Sequence, residues 1–177
     1  MKNIFIRIKN FLLIILLISF FCLQSSFAQL SGVYTIPGSP FATFKAAVDS
    51  LNLVGVGSGG VTFDVIADHN ESTTDSLVLT ATGTSSDPII FQKSGVGNNP
   101  KIIRTDAGNK ATSIFGGQGD AVITIQGSDY VIFDGIDVAT NDQGIEYGYY
   151  LRKVDGTNGC KFVTIKNAVI DSYKRYK

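Results

Sequence analysis

Two stretches, YVIFDGIDV (Tyr130 to Val138) and FVTIKNAVI (Phe162 to Ile170), are variants of one unit. In each unit, apolar residues two apart are followed by Gly or Asn and then by another apolar residue, which predicts strand, turn and strand. The second unit follows the first at an offset of 32 residues, so that Val131, Phe133, Gly135 and Val138 match Val163, Ile165, Asn167 and Ile170. A fixed offset between such units indicates a repeat architecture.

Short segments rich in Val, Ile, Phe and Thr continue this pattern, separated by Gly, Asn, Asp, Ser and Pro. Besides the two units, we predict strands at 32–36, 61–67, 76–81, 88–94, 101–104, 121–127 and 149–153. Two architectures accept many short strands, an antiparallel sandwich or barrel and a parallel solenoid. The offset favours the solenoid, in which coils lie about 4.8 Å apart and Val131 stacks on Val163.

One segment, PFATFKAAVDSL (40–51), has helical spacing. Ser39 suits the N-cap and Pro40 the first helical position. The glycines between residues 52 and 60 should end the helix. Its apolar stripe predicts a helix that covers the first coil, and the stripe consists of Phe41, Phe44, Val48 and Leu51.

The N-terminus has the pattern of a secretory signal peptide, with basic residues, an apolar run over 11–23 and the small-residue site Ser26-Phe27-Ala28. The run of 13 residues is short against the ~20 of a membrane-spanning helix. We predict a signal peptide over 1–28, a strand and capping helix over 29–60, and coils over 61–177. Removing the signal leaves a net charge of −3 without a basic stripe, so a nucleic-acid partner is not expected.

The order of GVYTI, FATFKAAVDSL, GGVTFDVIADHNES, LVLTATGTSSDPIIFQ, SDYVIFDGIDV and KFVTIKNAVI resembles the start of pectin-lyase-like, right-handed parallel β-helix proteins. More closely, it resembles large secreted β-helix proteins of Bacteroidota, many of which end in a type IX secretion sorting domain. The resemblance implies an all-β, right-handed parallel β-helix with an N-terminal capping helix. It also implies secretion to the exterior or the outer surface of a Gram-negative cell.

Pectin methylesterases within this group open with a helix FxTxxxAxxxx, a strand, and a glycine-tyrosine-x-glutamate turn. Phe41, Thr43 and Ala47 fit the helix and Glu71 fits the glutamate, but His69 stands in place of the tyrosine and the glycine is missing. The later catalytic blocks of these esterases do not appear, nor do the paired aspartates and Gly-His-Gly of polygalacturonases. The resemblance therefore carries over a scaffold and no catalytic residue.

Four carboxylates, Asp134, Asp137, Asp142 and Glu146, are candidate Ca²⁺ ligands, since this ion prefers oxygen donors. The alternative is that Asp134 and Asp137 belong to the solvent face of a coil. His69 lies in the run Asp-His-Asn-Glu, which lacks the further ligands of a zinc site and predicts a turn. GGQGD (116–120) is a single, shortened copy of a calcium-binding repeat and predicts a loop. No other cofactor is expected.

An aromatic and charged cluster, Tyr147, Tyr149, Tyr150 and Arg152, is followed by Lys153 and Asp155. Exposed tyrosines on a coil would form a platform for sugar rings. The alternative is that alternate tyrosines pack in the core. Cys160 is the one cysteine beyond the signal peptide, so it is expected to be a small buried residue or to pair between chains.

These features favour a secreted or cell-surface scaffold that binds a polysaccharide or another surface component without catalysis. The alternative is the N-terminal part of a polysaccharide lyase or glycoside hydrolase whose catalytic residues lie beyond Lys177. The segment DSYKRYK after Ile170 contains no capping helix. We therefore expect the last coil to present an unpaired edge to further coils or to another chain.

Overall fold

The computed structural model describes residues 28–108, 120–142 and 144–172, and in these ranges the chain forms one helix and twelve short strands. The helix α1 spans Phe44–Val54. The strands are β1 Leu30–Ile36, β2 Val56–Ile66, β3 Asn70–Thr73, β4 Leu77–Leu79, β5 Ile89–Ser94, β6 Lys101–Arg104, β7 Asp120–Gln126, β8 Val131–Asp134, β9 Asp137–Thr140, β10 Ile145–Arg152, β11 Thr164–Lys166 and β12 Ile170–Asp171.

The strands form three sheets in which every described pair is parallel. The first sheet has the order β1-β2-β5-β8-β11, the second β3-β6-β9-β12, and the third β4-β7-β10. From β2 the chain visits the three sheets in turn, so each strand from β2 to β9 pairs with the strand three elements later. We call each set of three successive strands a coil, and the first coil is β2, β3 and β4.

The register stacks like side chains over like side chains along the first sheet. Phe63 pairs with Phe91, Phe91 with Phe133, and Phe133 with Ile165. The ring centroids of Phe63 and Phe91 are 4.7 Å apart, and those of Phe91 and Phe133 are 5.1 Å apart. All three rings are fully buried, so we name them the phenylalanine ladder. This ladder forms the centre of a core that contains no disulfide among the described residues.

The predicted match of the two sequence units is confirmed, because Ile165 pairs with Phe133 and Ile170 with Val138. Each unit also divides as predicted into two strands at a turn, where Gly135 and Asn167 have φ of 69° and 54°. The offset of 32 does not hold for the whole chain, however. Phe91 follows Phe63 by 28 residues and Phe133 follows Phe91 by 42, because the connection between β6 and β7 is longer than its counterparts.

Strands also form in two segments where the sequence predicted none, the glycine-rich segment that should end the helix and the turn at His69. Strand β2 begins at Val56, inside the glycine-rich segment, where Val56 pairs with Leu30 of β1. Strand β3 occupies Asn70–Thr73 and pairs with β6. Its composition is polar, and its inward residues Glu71 and Thr73 are nevertheless buried. Position in the stack therefore overrides local propensity in both places.

The helix begins at Phe44, so the prediction of Ser39 as N-cap and Pro40 as first helical residue was wrong. Thr43 is the N-cap, and its side-chain oxygen accepts a hydrogen bond from Ala46 N at 3.0 Å. The Glu71 carboxylate accepts from Phe44 N at 2.5 Å and from Lys45 N at 3.0 Å. Three of the first helical amides are satisfied in this way, which fixes the start of the helix.

The helix lies against β4 of the third sheet and against β1 and β2 of the first sheet. Glu71 connects it to β3, and Asn52 connects it to the backbone of β4 and of the residues that follow. The Asn52 side chain donates to Val78 O at 2.7 Å and accepts from Thr80 N at 2.8 Å and Ala81 N at 3.0 Å. The predicted apolar stripe is confirmed for Phe44, Val48 and Leu51, which are buried on the helix, whereas Phe41 is buried but precedes the helix.

The other end of the stack leaves core-facing positions open among the described residues. Leu151 is 47% exposed, whereas its register partner Ile125 is fully buried. Ile170 is 53% exposed, whereas its partner Val138 is fully buried. No coil of the described chain follows β12, so these two side chains face outward from the end of the core.

The predicted signal peptide lies outside the described residues, apart from Ala28, and so does GGQGD apart from Asp120. Within the described ranges, no helix has the length and apolar character needed to cross a membrane.

Candidate functional site

Strand β10 carries a pair of stacked tyrosines. The ring centroids of Tyr147 and Tyr150 are 4.9 Å apart and their planes differ by 14°. Tyr147 is 45% exposed and Tyr150 is half-buried. We call these two residues the tyrosine pair, and both belong to the aromatic cluster noted in the sequence.

Tyr149 has a different role, since it packs against the core. Its hydroxyl donates to Ile136 O at 2.7 Å, and its ring centroid lies 5.3 Å from that of Phe133. Burial, assisted by the negative charge of Asp137, raises the pKa of the Tyr149 phenol far above its ordinary value. For Tyr149 the alternative of core packing is therefore the one observed. Arg152 is half-buried at the end of the same strand.

A polar cavity of about 220 Å³ lies between the end of β6 and the connection from β9 to β10. The described residues that line it are Arg104, Thr105, Asn141 and Asp142. We call it the corner cavity. Asp142 precedes Tyr147 by five residues, so the cavity and the tyrosine pair are separated by at most about 18 Å of chain.

Arg104 is a buried cation, with its side chain 7% exposed. Its guanidinium donates to both carboxylate oxygens of Asp106, at 2.6 and 2.8 Å, and to Ala121 O at 2.8 Å. Asp120 approaches the same guanidinium at 3.9 Å. The hydrogen bonds from Arg104 lower the pKa of Asp106, and the bond to Asp106 raises the pKa of Arg104. This bidentate pair forms the rigid wall of the corner cavity.

Asp142 joins two glycine backbones at the edge of the cavity. Its Oδ1 atom accepts from Gly144 N at 2.7 Å and from Gly108 N at 3.1 Å. A Cβ atom on Gly108 would lie 2.6 Å from Gly144 O, and a Cβ on Gly144 would likewise collide with Gly108. The close approach of the two backbones therefore requires glycine at both positions.

The four predicted calcium ligands bind different partners. Asp134 accepts from Asn167 Nδ2 at 2.7 Å and pairs with Lys166 at 3.0 Å, and both contacts lower the pKa of Asp134. Asp137 accepts from Asn99 Nδ2 and from Val169 N, both at 2.8 Å.

Of the other two, Glu146 accepts from Asp120 N at 2.9 Å, and Asp142 binds the two glycines. Across residues 28–108, 120–142 and 144–172, no group of three or more His, Cys, Asp or Glu side chains is arranged to hold a metal ion. The calcium site remains a prediction from the sequence.

His69 and Glu71 are tied to the helix start. His69 Nε2 lies 3.5 Å from Glu71 Oε2, the oxygen that accepts from Phe44 N. The resemblance matches Glu71 to the glutamate of an esterase turn. In this chain Glu71 accepts hydrogen bonds from two helix amides. Cys160 is half-buried against the core, and its thiol donates to Ile125 O at 3.2 Å.

Sequence reasoning missed the corner cavity, although KIIR (101–104) contained a signal. Strand alternation puts Arg104 on the same face as the fully buried Ile102. A charged side chain on the buried face needs partners, and the partner Asp106 follows two residues later.

No family model, no curated protein and no solved structure matches this chain.

Proposed function

We propose that this chain is a secreted protein, of the pectin-lyase-like, right-handed parallel β-helix type, that binds polysaccharide without catalysis. Support for the β-helix comes from three parallel sheets that the chain visits in turn. Support for the helix as a cap comes from two contacts with the first coil: the Glu71 carboxylate of β3 accepts from two helix amides, and the Asn52 side chain binds the backbone of β4 and of the residues that follow it. The N-terminal sequence supports export to the exterior or the outer surface of a Gram-negative cell.

The tyrosine pair is the observation that carries polysaccharide binding. The two phenol rings stack with centroids 4.9 Å apart and planes within 14° of parallel, so each ring holds the other in place, and the exposed Tyr147 ring keeps a polar hydroxyl at its rim. Sugar rings expose C–H groups on one face and hydroxyls at the edges, so they complement such a surface. The corner cavity, whose residue Asp142 precedes Tyr147 by five residues, would supply polar groups that fix orientation.

A binding role fits the carboxylates of the corner cavity better than hydrolysis does. Asp106 is held ionised by Arg104, as its lowered pKa reflects, and so it is a poor general acid at neutral pH. One oxygen of Asp142 is committed to two backbone amides. Both groups therefore serve the geometry of the site.

The test is a titration of the purified mature chain against soluble polysaccharides and their oligosaccharides. Tyr147→Ala should weaken binding about tenfold, equivalent to about 1.4 kcal/mol, and Tyr147→Phe should retain most of it because the ring remains. Phe162→Ala is a matched control, since this ring is 66% exposed and stacks on Tyr130 at 4.5 Å outside the site.

The proposal would be refuted if Tyr147→Ala and Phe162→Ala lost the same affinity, or if the protein bound no polysaccharide. Release of unsaturated or shortened products would replace it with the lyase or hydrolase alternative.

A further inference from the structure

We propose that the corner cavity binds a neutral sugar unit and discriminates against uronic acids. This inference rests on the proposed polysaccharide binding and names the chemical class of the ligand. It follows from three properties of the cavity, which are its charge, the groups left free in it and its size.

The charge around the cavity is negative despite the buried arginine. Asp75, Asp106 and Asp120 all interact electrostatically with Arg104, and Asp142 lines the cavity beside it. Within the described lining, the charges of Arg104 and its bidentate partner Asp106 cancel, and the carboxylate of Asp142 leaves a net negative charge. A sugar carboxylate placed there would meet an excess of like charge, which opposes binding most strongly at low salt.

The side-on fork of the arginine is not available as an anion clamp. Anion recognition by arginine uses two parallel N–H groups that face the ligand. In Arg104 the Nε and Nη2 pair already binds Asp106, and Nη1 donates to Ala121 O. A carboxylate of the chain itself therefore occupies this fork, and the two remaining N–H groups belong to a side chain that is only 7% exposed.

The groups that remain suit hydroxyls. The second carboxylate oxygen of Asp142 accepts no hydrogen bond from the described residues, and the exposed Asn141 side chain offers both a donor and an acceptor. A sugar hydroxyl both donates and accepts, so it can bind either group. The volume of about 220 Å³ equals that of about seven waters at ~30 Å³ each, enough for one sugar ring.

The test uses oligosaccharides that differ only in charge. One pair is β-1,4-mannan and β-1,4-mannuronate oligomers of equal length, and a second is oligogalacturonate with and without full methyl esterification. We expect the neutral member to bind at least about tenfold more tightly at low salt, with the ratio falling towards one at high salt because salt screens the repulsion.

Asp142→Asn should reduce this preference several-fold, since it removes a charge and keeps the Oδ1 acceptor for the two glycines. Asp155→Asn is the matched control. Asp155 also accepts two backbone hydrogen bonds through one oxygen, from Thr157 N and Asn158 N, and it does not line the cavity. It should leave the preference unchanged.

Uronates that bind as tightly as their neutral partners, or a salt-independent ratio, would overturn this inference and leave polysaccharide binding in place. Equal effects of Asp142→Asn and Asp155→Asn would also overturn it. Failure of every oligosaccharide to bind would overturn both the preference for neutral sugars and the proposed polysaccharide binding. The salt dependence of the wild-type protein decides the question even if a variant folds poorly.

Discussion

Replacing Glu71 should destabilise the protein more than any other single polar substitution at the helix. Glu71 is 8% exposed and accepts hydrogen bonds from Phe44 N and Lys45 N. Hydrogen bonds to charged groups contribute about 1.5–3 kcal/mol each. The two bonds share one carboxylate, so we expect Glu71→Ala to lower the free energy of unfolding by about 3 kcal/mol.

Thermal and urea unfolding, followed by circular dichroism, measure this loss. A domain of this size changes its Tm by about 2–4 °C per kcal/mol, which predicts a decrease of about 6–12 °C for Glu71→Ala. Glu71→Gln keeps one acceptor oxygen and should lose about half as much. The control is Asp49→Ala, which removes only an exposed ion pair with Lys45 and should change the Tm little. A Tm for Glu71→Ala within about 1 °C of the wild type would refute this account of the helix start.

Four further results are expected. Phe91→Ala should cost about 3–5 kcal/mol in chemical unfolding, because it opens a cavity inside the phenylalanine ladder; a loss below about 1 kcal/mol would contradict the stacking. Gly144→Ala should abolish oligosaccharide binding in calorimetry, since its Cβ would collide with Gly108; unchanged affinity would contradict the cavity geometry. Asp106 has a pKa below its ordinary 3.8, so its contribution to stability is present above that pH and lost as the pH falls through the lowered folded value; acid unfolding should therefore begin below about pH 3.8 and be less steep in Asp106→Asn. Ile170→Lys should reduce self-association in light scattering, since Ile170 is a large apolar side chain that is 53% exposed; equal association in both proteins would contradict this.

The parallel stacking could be predicted from the sequence because two segments have the same pattern of apolar residues and turn. The two units at Tyr130 and Phe162 repeat the same apolar spacing and the same turn position, and the strands pair in that register. The wider ladder through Phe63 and Phe91 was not visible as a period. The number of residues between successive phenylalanines changes with the lengths of the connecting loops. The spacing of apolar residues within a strand does not reveal those lengths.

The helix start and the corner cavity depend on contacts that sequence patterns do not reveal. Glu71 is 27 residues from Phe44 and still determines where the helix begins. Arg104 and Asp142 meet at the cavity only because β6 and β9 are neighbours in one sheet. Among the tyrosines, composition predicted the cluster, whereas the separation of core Tyr149 from the exposed Tyr147 depends on the third sheet's packing.

The most direct test of the account maps a neutral oligosaccharide on the protein by NMR. The chain contains only seven tyrosines, so the tyrosine ring signals are few enough to assign. We predict that titration shifts the ring signals of Tyr147 and Tyr150 together with the side-chain amide of Asn141, while Tyr149 changes little. Shifts confined to other surfaces, or none with any neutral or acidic oligosaccharide, would contradict the claim that this strand and its corner cavity bind polysaccharide.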